Sequence, residues 1–252
     1  MEDQEDVVSE LKPGLPERLA RVTAELRRAE EQAHRTPGEV KLIAVGKTFP
    51  VSACELAYAC GQRVFGENYV QEGVAKIEAF RKAHPDDPGE WHFIGPLQAN
   101  KTRAVAEHFD WVHSIDRLRI ATRLSSQRPE GMPPLNVLIE VNVDGEDSKS
   151  GVSPNEAAAL AELIRMLPNL RFRGLMAIPA PRDSSEDRRR PLAELRRLFE
   201  VLRKDFPEMD TLSMGMSADM DEAVQEGSTM VRIGRAIFGE RDYCSHCAVF
   251  EA

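Results

Sequence analysis

Lys47 follows a short apolar run and is the residue whose type and position most clearly indicate chemistry. Residues 42–46 (LIAVG) are apolar or small, which is typical of a strand buried on both faces. Lysine is rarely buried without a partner, and a desolvated lysine has a lowered pKa that makes it an amine nucleophile toward a carbonyl. Position alone leaves two interpretations open: a nucleophile at the end of a strand, or a lysine that reaches solvent or pairs with a carboxylate such as Glu140.

Two glycine-containing stretches near the C-terminus could bind an anion. They are residues 213–220 (SMGMSADM) and 233–236 (IGRA). Ser217 is expected to cap a helix that begins at Ala218, and a helix N-terminus with small residues presents backbone N–H groups to an anion. A plain capped turn would have the same pattern. Combined with Lys47, the stretches indicate a site for a phosphorylated aldehyde that is held as a Schiff base.

Arg232 is a third candidate because it belongs to a strand-like run. It lies two residues before Gly234, so strand alternation places both residues on the same inward face. A buried arginine needs an acceptor. A pyridine nitrogen would serve, and the arginine would keep that nitrogen unprotonated. An ion pair with Glu140 or another barrel carboxylate fits the pattern equally well.

Alternating strand-like and helix-like segments must position these residues. A leading amphipathic helix carries Leu15, Leu19, Val22 and Leu26 on one stripe. Eight strand-like runs then alternate with helix-like segments, which predicts an α/β fold with a parallel sheet closed into a single (β/α)8 TIM barrel; a doubly wound open sheet is the alternative. In such a barrel the site forms at the C-terminal ends of the strands, and residues 181–190 (PRDSSEDRRR) are expected to form a mobile surface loop at that rim.

Composition limits the class of protein. The chain has 252 residues, 42% of them hydrophobic, with a net charge of −9 and a pI near 5.3. This balance argues against a nucleic-acid or anionic-membrane binder. We expect no membrane span, because the apolar runs are too short, and no signal peptide, because the start is acidic. A cytoplasmic protein is therefore predicted.

The domain organisation is predicted from the same features. Residues 1–14 are expected to be a disordered acidic lead, 15–243 a single barrel, and 244–252 a flexible tail. Four cysteines do not make a disulfide framework. Cys244 and Cys247, with the histidine between them, could bind a metal, but they lack a matching second pair. We therefore predict no metal site.

Seven short motifs carry a resemblance to a known family. They are AVGKT (44–48), FGENYVQE (65–72), WHFIGPLQANK (91–101), DSKSG (147–151), GLMAI (174–178), LSMGMSADM (212–220) and VRIGRAIFG (231–239). In order and spacing they resemble the pyridoxal phosphate homeostasis proteins, small proteins related to the barrel domain of alanine racemase. The resemblance extends over roughly residues 15–243, and the strand-three motif WHFIGPLQANK is highly specific.

The resemblance implies a type III pyridoxal-phosphate fold with pyridoxal 5′-phosphate as its cofactor. It implies Lys47 as the Schiff-base lysine and Arg232 as the residue that faces the pyridine nitrogen. The phosphate would be held by Ser217 and by the backbone of Gly234 and Arg235. The residues that would line the ring are Asn68, Met176 and Met214. Arg235 stands where family members often have a small residue such as threonine, so a hydroxyl contact is lost there and a charge is gained.

Three functions remain open at this point: a protein that binds and buffers the cofactor without evident turnover, an amino-acid racemase, and a phosphosugar aldolase or isomerase. A racemase of this fold needs a tyrosine from a second domain, for which the chain has no room after its eighth strand. Schiff-base aldolases usually carry their lysine on a later strand. We therefore favour cofactor homeostasis. Its expected partners are the cofactor, apo-enzymes that receive it and, transiently, amino or keto acids.

Overall fold

Eight parallel strands close into a barrel in the computed structural model, which describes residues 14–146 and 149–240. Each strand pairs with the next along the chain, and β8 pairs with β1, so no edge is left open. The predicted (β/α)8 barrel with an N-terminal helix is confirmed, and closure excludes the doubly wound open sheet. In the described ranges no helix is both long and apolar enough to cross a membrane.

Strands and helices alternate along the described chain. The strands are β1 Lys41–Val45, β2 Val64–Glu67, β3 Glu90–Phe93, β4 Trp111–Ile115, β5 Leu135–Glu140, β6 Leu170–Met176, β7 Thr211–Ser213 and β8 Met230–Ile233. The helices are α1 Leu15–Gln32, α2 Val51–Ala59, α3 Val70–Ala83, α4 Thr102–His108, α5 Leu118–Gln127, α6 Pro154–Arg165, α7 Ser185–Leu202, α8 Met220–Gln225 and α9 Arg235–Phe238. Because all strands run in the same direction, their C-terminal ends lie at one end of the barrel.

The apolar residues form two separate layers. The larger layer fills the space between the sheet and the surrounding helices, including the stripe of α1 that the sequence predicts. The smaller layer fills the lumen of the barrel. Its members are Ile43, Val45, Ile94, Trp111, Leu138, Met176 and Met230. The lumen is therefore a packed core rather than a pore, as in other barrels of this type.

Helix α1 covers the seam where the barrel closes. It packs against α8 and α9, which flank β8. The Arg18 side chain donates hydrogen bonds to the carbonyls of Ile237 and Phe238, at 2.8 and 3.2 Å. These carbonyls belong to the last turn of α9, where backbone acceptors have no partner within the helix. The N-terminal helix thus ties the last element of the barrel to the first.

Helix α7 begins earlier than the sequence predicts. The pattern placed its start at Pro191 and assigned residues 181–190 to a mobile loop; the structure shows that the loop prediction is wrong for most of this segment. Ser184 caps the helix by accepting a hydrogen bond from the Asp187 N–H at 3.1 Å. Arg188 then bonds to Glu222 at 2.9 Å, which fixes the first turn of α7 against α8. The predicted terminal segments, 1–14 and 244–252, lie outside the described residues except for residue 14.

Gly174 lies where the backbone of β6 comes very close to the backbone of β7. Its φ is +146°, and an added Cβ would lie 1.9 Å from the Thr211 carbonyl oxygen. Gly38 also has a positive φ, +96°, but an added Cβ there meets nothing within 4 Å. We expect Gly38→Ala to lower the free energy of unfolding by about 1 kcal/mol, and Gly174→Ala to cost about 1–3 kcal/mol more because the strands must separate. Urea unfolding of both variants measures the difference, and equal losses would contradict the close approach.

Candidate functional site

The predicted site residues gather at one end of the barrel. These residues lie on or just after five of the eight strands, and the parallel closure brings the C-terminal ends of those strands together. They are Lys47 after β1, Asn68 after β2, Met176 at the end of β6, Met214 and Ser217 after β7, Arg232 within β8, and Gly234 and Arg235 after it. The sequence-based placement at the C-terminal end of the strands is therefore what the fold produces.

Lys47 lies in a turn rather than within the strand. β1 ends at Val45, and Lys47 is half-buried, not fully buried as the apolar run suggested. Gly46 still extends the sheet through an N–H bond to the Gly66 carbonyl, at 3.0 Å. Thr48 then adopts a φ of +70°, which is rare for a β-branched residue and turns the chain away from the sheet. This turn explains why a lysine is tolerated there.

Two side chains of α3 hold that turn from below. The ammonium of Lys76 donates to the Gly46 carbonyl at 2.8 Å and to carboxylates of Glu67 and Glu72 at 2.8 and 2.6 Å. Glu72 also accepts the Thr48 N–H at 2.6 Å. Glu67 and Lys76 are both buried. The loop that carries Lys47 is therefore anchored on both sides by a buried ion cluster.

The ion cluster has two carboxyl groups, from Glu67 and Glu72, and one ammonium group, from Lys76. Burial raises the pKa of Glu67 to about 7, against the attraction of Lys76 and, more weakly, of Lys47. Burial opposes the charge of Lys76, but Glu67 and Glu72 outweigh it and raise its pKa. Burial also raises the pKa of the neighbouring Cys54 thiol to about 12. The Lys76 ammonium thus stays charged, and Glu67 is the group in this cluster that titrates near neutrality.

Buried oxygens without a hydrogen-bond partner concentrate around Lys47. Among the described residues, they include Thr48 Oγ1, Glu67 Oε2 and Asn68 Oδ1. Orphaned buried polar atoms are rare in folded proteins and mark places where a ligand, ion or water binds. Asn68 also lines a groove of about 220 Å³, together with residues that follow β3, β5 and β6. Thr48 Oγ1 and Asn68 Oδ1, which follow the neighbouring strands β1 and β2, therefore have no hydrogen-bond partner among the described residues.

Arg232 is buried in the upper part of the lumen. Its guanidinium donates to Ser213 Oγ at 2.7 Å and to the Ala177 carbonyl at 2.9 Å. Burial lowers its pKa to about 10, although the charges of Asp219 and Glu140 oppose that shift. Burial, with a contribution from a nearby aspartate, raises the pKa of Glu140 to about 7. The contacts found for Arg232 are thus a hydroxyl and a carbonyl rather than the carboxylate considered from the sequence.

The loop after β7 differs from its prediction. Ser217 was expected to cap a helix beginning at Ala218, but α8 begins at Met220 and its N-cap position is Asp219. The reason is that Asp219 Oδ1 accepts the Met216 N–H at 2.7 Å, which closes a turn ahead of the helix. Ser217 is exposed in that turn. Its hydroxyl therefore faces the solvent end of the site.

The loop after β8 brings Gly234 against the first strand. Gly234 is the N-cap residue of α9, and an added Cβ would lie 3.3 Å from the Val45 carbonyl. Arg235 follows it and is exposed. The two methionines separate: Met176 belongs to the lumen layer, whereas Met214 belongs to the outer layer between sheet and helices. Both methionine side chains are fully buried.

Sequence reasoning missed the ion cluster below Lys47. In the sequence Glu67 belongs to the motif FGENYVQE and Lys76 to a helix-like segment, and neither is predicted as a site residue. One signal was available, since Glu72 and Lys76 are spaced four residues apart and so share a helix face. The convergence with Glu67 required the fold. Within the described ranges, acidic, histidine and cysteine side chains form no cluster suited to a metal ion, and the cysteines of the C-terminal tail lie outside those ranges.

The fold defines a class of protein: a barrel of eight parallel strands with a lysine, Lys47, in the turn after the first strand. The family described as "Alanine racemase, N-terminal domain" matches residues 18–242. A pyridoxal phosphate homeostasis protein from Vibrio alginolyticus is 56% identical over 229 residues, which is 91% of this chain and 98% of that protein. The chain belongs to the alanine racemase N-terminal domain family and, within it, to the pyridoxal phosphate homeostasis proteins.

Solved structures agree with this assignment. A protein of unknown function from Bifidobacterium adolescentis superimposes with a TM-score of 0.84 at 34% identity, covering 90% of this chain and 95% of that one. PipY from Synechococcus elongatus PCC7942, solved with pyridoxal phosphate (PLP) bound, has a TM-score of 0.75 at 35% identity and covers 89% of this chain and 100% of that one. The predicted family is therefore confirmed.

The ion cluster yields a stability prediction. Lys76→Met should lower the free energy of unfolding by about 3–5 kcal/mol, because it leaves buried carboxylates without a cation. Lys82→Met is the matched control: Lys82 is exposed on the same helix, so its replacement should change stability by less than about 0.5 kcal/mol. Urea unfolding at neutral pH measures both. Adding Glu67→Gln to Lys76→Met should recover part of the loss, and similar effects of the two lysine variants would contradict the role of the cluster.

Proposed function

We propose that this protein binds pyridoxal 5′-phosphate as a Schiff base with Lys47 and serves in pyridoxal phosphate homeostasis without evident catalytic turnover. The observation that carries the proposal is the group of buried, orphaned oxygens around Lys47, Thr48 Oγ1 and Asn68 Oδ1 foremost. A ligand with several polar substituents would satisfy them. The groove beside Asn68 also has apolar and glycine residues, Ile94, Gly95 and Ile178 among them, against which an aromatic ring could pack.

The residues present fit this cofactor. When bound, pyridoxal phosphate supplies an aldehyde that condenses with amines. Lys47 would provide the amine, and the turn that holds it is anchored by Lys76 and Glu72. Arg232 would face the pyridine nitrogen, because its guanidinium is oriented from two sides and carries further N–H donors. An arginine there would keep the ring nitrogen unprotonated, which would weaken the ring as an electron sink.

The loops after β7 and β8 would hold the phosphate. Ser217 and the backbone of Gly234 and Arg235 are the proposed contacts, and the exposed Arg235 side chain would add positive charge. Asn68 and Met176 would border the ring, since both lie at the strand ends around it. Met214 supports the site differently: its side chain lies in the outer layer, so we propose that it backs the loop from outside the barrel.

Homeostasis is proposed from the relatives. The Vibrio alginolyticus relative bears the name pyridoxal phosphate homeostasis protein, and PipY has been solved with PLP bound. We propose that this chain likewise holds the cofactor in reserve in the cytoplasm, passes it to apo-enzymes, and exchanges it transiently with amino or keto acids. The half-buried Lys47 supports exchange, because an incoming amine can reach it from the mouth of the barrel.

The Schiff-base lysine can be identified directly. Borohydride reduction of the cofactor-loaded protein should fix the cofactor on Lys47 alone, and peptide mapping locates the label. Lys47→Ala should abolish the label and leave thermal unfolding nearly unchanged, because a half-buried lysine in a turn contributes little to core packing. Lys101→Ala is a suitable control and should retain full labelling. A label on Lys101 or Lys149 in the wild-type protein would exclude the assignment.

The racemase alternative is tested by chirality. Racemisation needs an acid–base group on each face of the substrate carbon within hydrogen-bond reach. Lys47 could serve one face. Tyr69 follows β2 and is 55% exposed, and we propose that it does not serve the other face. Incubation with L-alanine in deuterated water should therefore give slow Cα–H exchange with retained configuration. Multiple turnovers per second to D-alanine, lost in Tyr69→Phe, would establish a racemase instead.

A further inference from the structure

A continuous chain of polar side chains crosses the otherwise apolar lumen of the barrel. Arg232 donates to Ser213 Oγ at 2.7 Å, and Ser213 Oγ lies 3.0 Å from His113 Nδ1. His113 Nε2 lies 2.8 Å from His92 Nδ1, and His92 Nε2 lies 2.7 Å from Glu90 Oε1. The four groups from Arg232 to His92 are buried, whereas the Glu90 side chain is 34% exposed.

This chain of polar side chains connects the two ends of the barrel. Arg232 reaches the Ala177 carbonyl, which follows the C-terminal end of β6. Glu90 is the first residue of β3 and forms an ion pair at 2.7 Å with Lys41, the first residue of β1. The proposed cofactor site and the opposite mouth are thus joined by side-chain hydrogen bonds alone.

The two ends of the chain determine its direction. A guanidinium only donates and a carboxylate only accepts. Ser213 therefore accepts from Arg232 and donates to His113 Nδ1, His113 donates from Nε2 to His92 Nδ1, and His92 donates from Nε2 to Glu90. Ser213, His113 and His92 each accept one hydrogen bond along the path and donate one, and in this arrangement both histidines are neutral and protonated on Nε2.

The electrostatics agree with this direction. Burial lowers the pKa of His92 and lowers that of His113 well below its usual value, with the nearby Arg232 charge adding to the shift at His113. Burial opposes ionisation of Glu90, but the hydrogen bonds from His92 and Lys41 outweigh it and lower its pKa to about 2. An imidazolium at His92 would reverse the path between His92 and Ser213, so that Ser213 Oγ would accept two hydrogen bonds and its own O–H would have no acceptor on the path. The neutral arrangement keeps that acceptor, His113 Nδ1.

Aromatic stacking also fixes the polar path near Glu90, where His92 lies. The His92 and Trp111 rings are stacked, with centroids 5.3 Å apart and planes 6° from parallel. Arg173 lies over the same Trp111 ring, 4.7 Å from its centroid. A polar chain placed in an apolar core costs desolvation energy, and apolar residues of the same volume would pack there at least as well. The presence of this polar path is therefore explained better by its effect on the orientation of Arg232 than by a contribution to stability.

We propose that Ser213, His113 and His92 are positioning residues that orient the Arg232 guanidinium toward the ring nitrogen of the bound cofactor and couple it to the Glu90–Lys41 ion pair at the opposite end of the barrel. The proposal rests on the proposed function for the identity of the ligand. The hydrogen-bond path itself does not depend on that ligand, so the two can be tested separately.

Nitrogen NMR of the ligand-free protein tests the path. The ring nitrogens of His92 and His113 should both show protonated Nε2 and unprotonated Nδ1 at neutral pH. The signals are assigned by their loss in His92→Gln and His113→Gln or, where a variant fails to fold, by the through-space contact between His92 and the Trp111 ring. Protonation of either histidine on Nδ1, or an imidazolium at neutral pH, would overturn the proposed path.

Cofactor binding tests what the path does. Ser213→Ala should weaken binding of pyridoxal phosphate about tenfold, the worth of one hydrogen bond. It should leave nearly unchanged the affinity for an analogue whose ring nitrogen is replaced by C–H, because that analogue does not use Arg232. Ser125→Ala, a buried serine of α5 outside the lumen, is the control and should change neither affinity. Thermal unfolding of each variant confirms that it folds.

The outcomes separate the two proposals. A selective loss for the cofactor with nitrogen in its ring supports the positioning role. Equal losses for both ligands, or no loss for either, would show that Ser213 has only a structural role and would overturn it. A wild-type protein that binds neither ligand, while its histidines show the expected tautomers, would instead refute the proposed function and the cofactor-orienting role together and leave only the path.

Discussion

The pairing of β8 with β1 is the interaction on which the rest of the structure depends. It sets Ile43 opposite Arg232 and closes the sheet, so that all eight parallel strands end around one mouth. It also brings Gly234 so close to Val45 that a side chain there would press on the β1 backbone. Because the turn with Lys47 and the loop with Gly234 leave adjacent strands, closure brings these two segments together. The bonds from Arg18 to α9 reinforce that seam.

Barrel closure also buries polar side chains away from solvent, so these groups must form hydrogen bonds with one another. The protein has two buried polar systems, the path from Arg232 to Glu90 and the ion cluster around Lys76, and they differ in how completely their polar groups are paired. In the path from Arg232 to Glu90 each intervening side chain accepts one hydrogen bond and donates one, and the direction follows from the charged ends. The cluster around Lys76 is incompletely satisfied, since Glu67 Oε2 has no partner among the described residues. The first system orients a side chain from below the site, and the second anchors the backbone that presents Lys47.

The turn at Lys47 shows how such anchoring permits an unfavourable backbone. Thr48 has a left-handed conformation that costs a β-branched residue on the order of 1–3 kcal/mol. Its N–H is bonded to Glu72, and the Gly46 carbonyl is bonded to Lys76. These bonds hold the turn in place, so the strain is retained where it directs the lysine toward the mouth. A half-buried amine on a rigid turn suits reversible exchange of a ligand better than a fully enclosed one would.

The sequence by itself determined the barrel, the leading helix and the ring of strand ends at which Lys47 and Arg232 lie, because alternation and helical stripes are properties of neighbouring residues. Only the tertiary structure decided that Lys47 leaves the strand in a strained turn, that α7 begins at Ser185 and α8 at Met220, and that Met176 and Met214 lie in different layers. Those features follow from contacts between distant segments. The clearest case is the polar path: His92, His113 and Ser213 are unremarkable in their own strands. They become one system because barrel closure brings these buried side chains, from three different strands, within hydrogen-bond distance of one another.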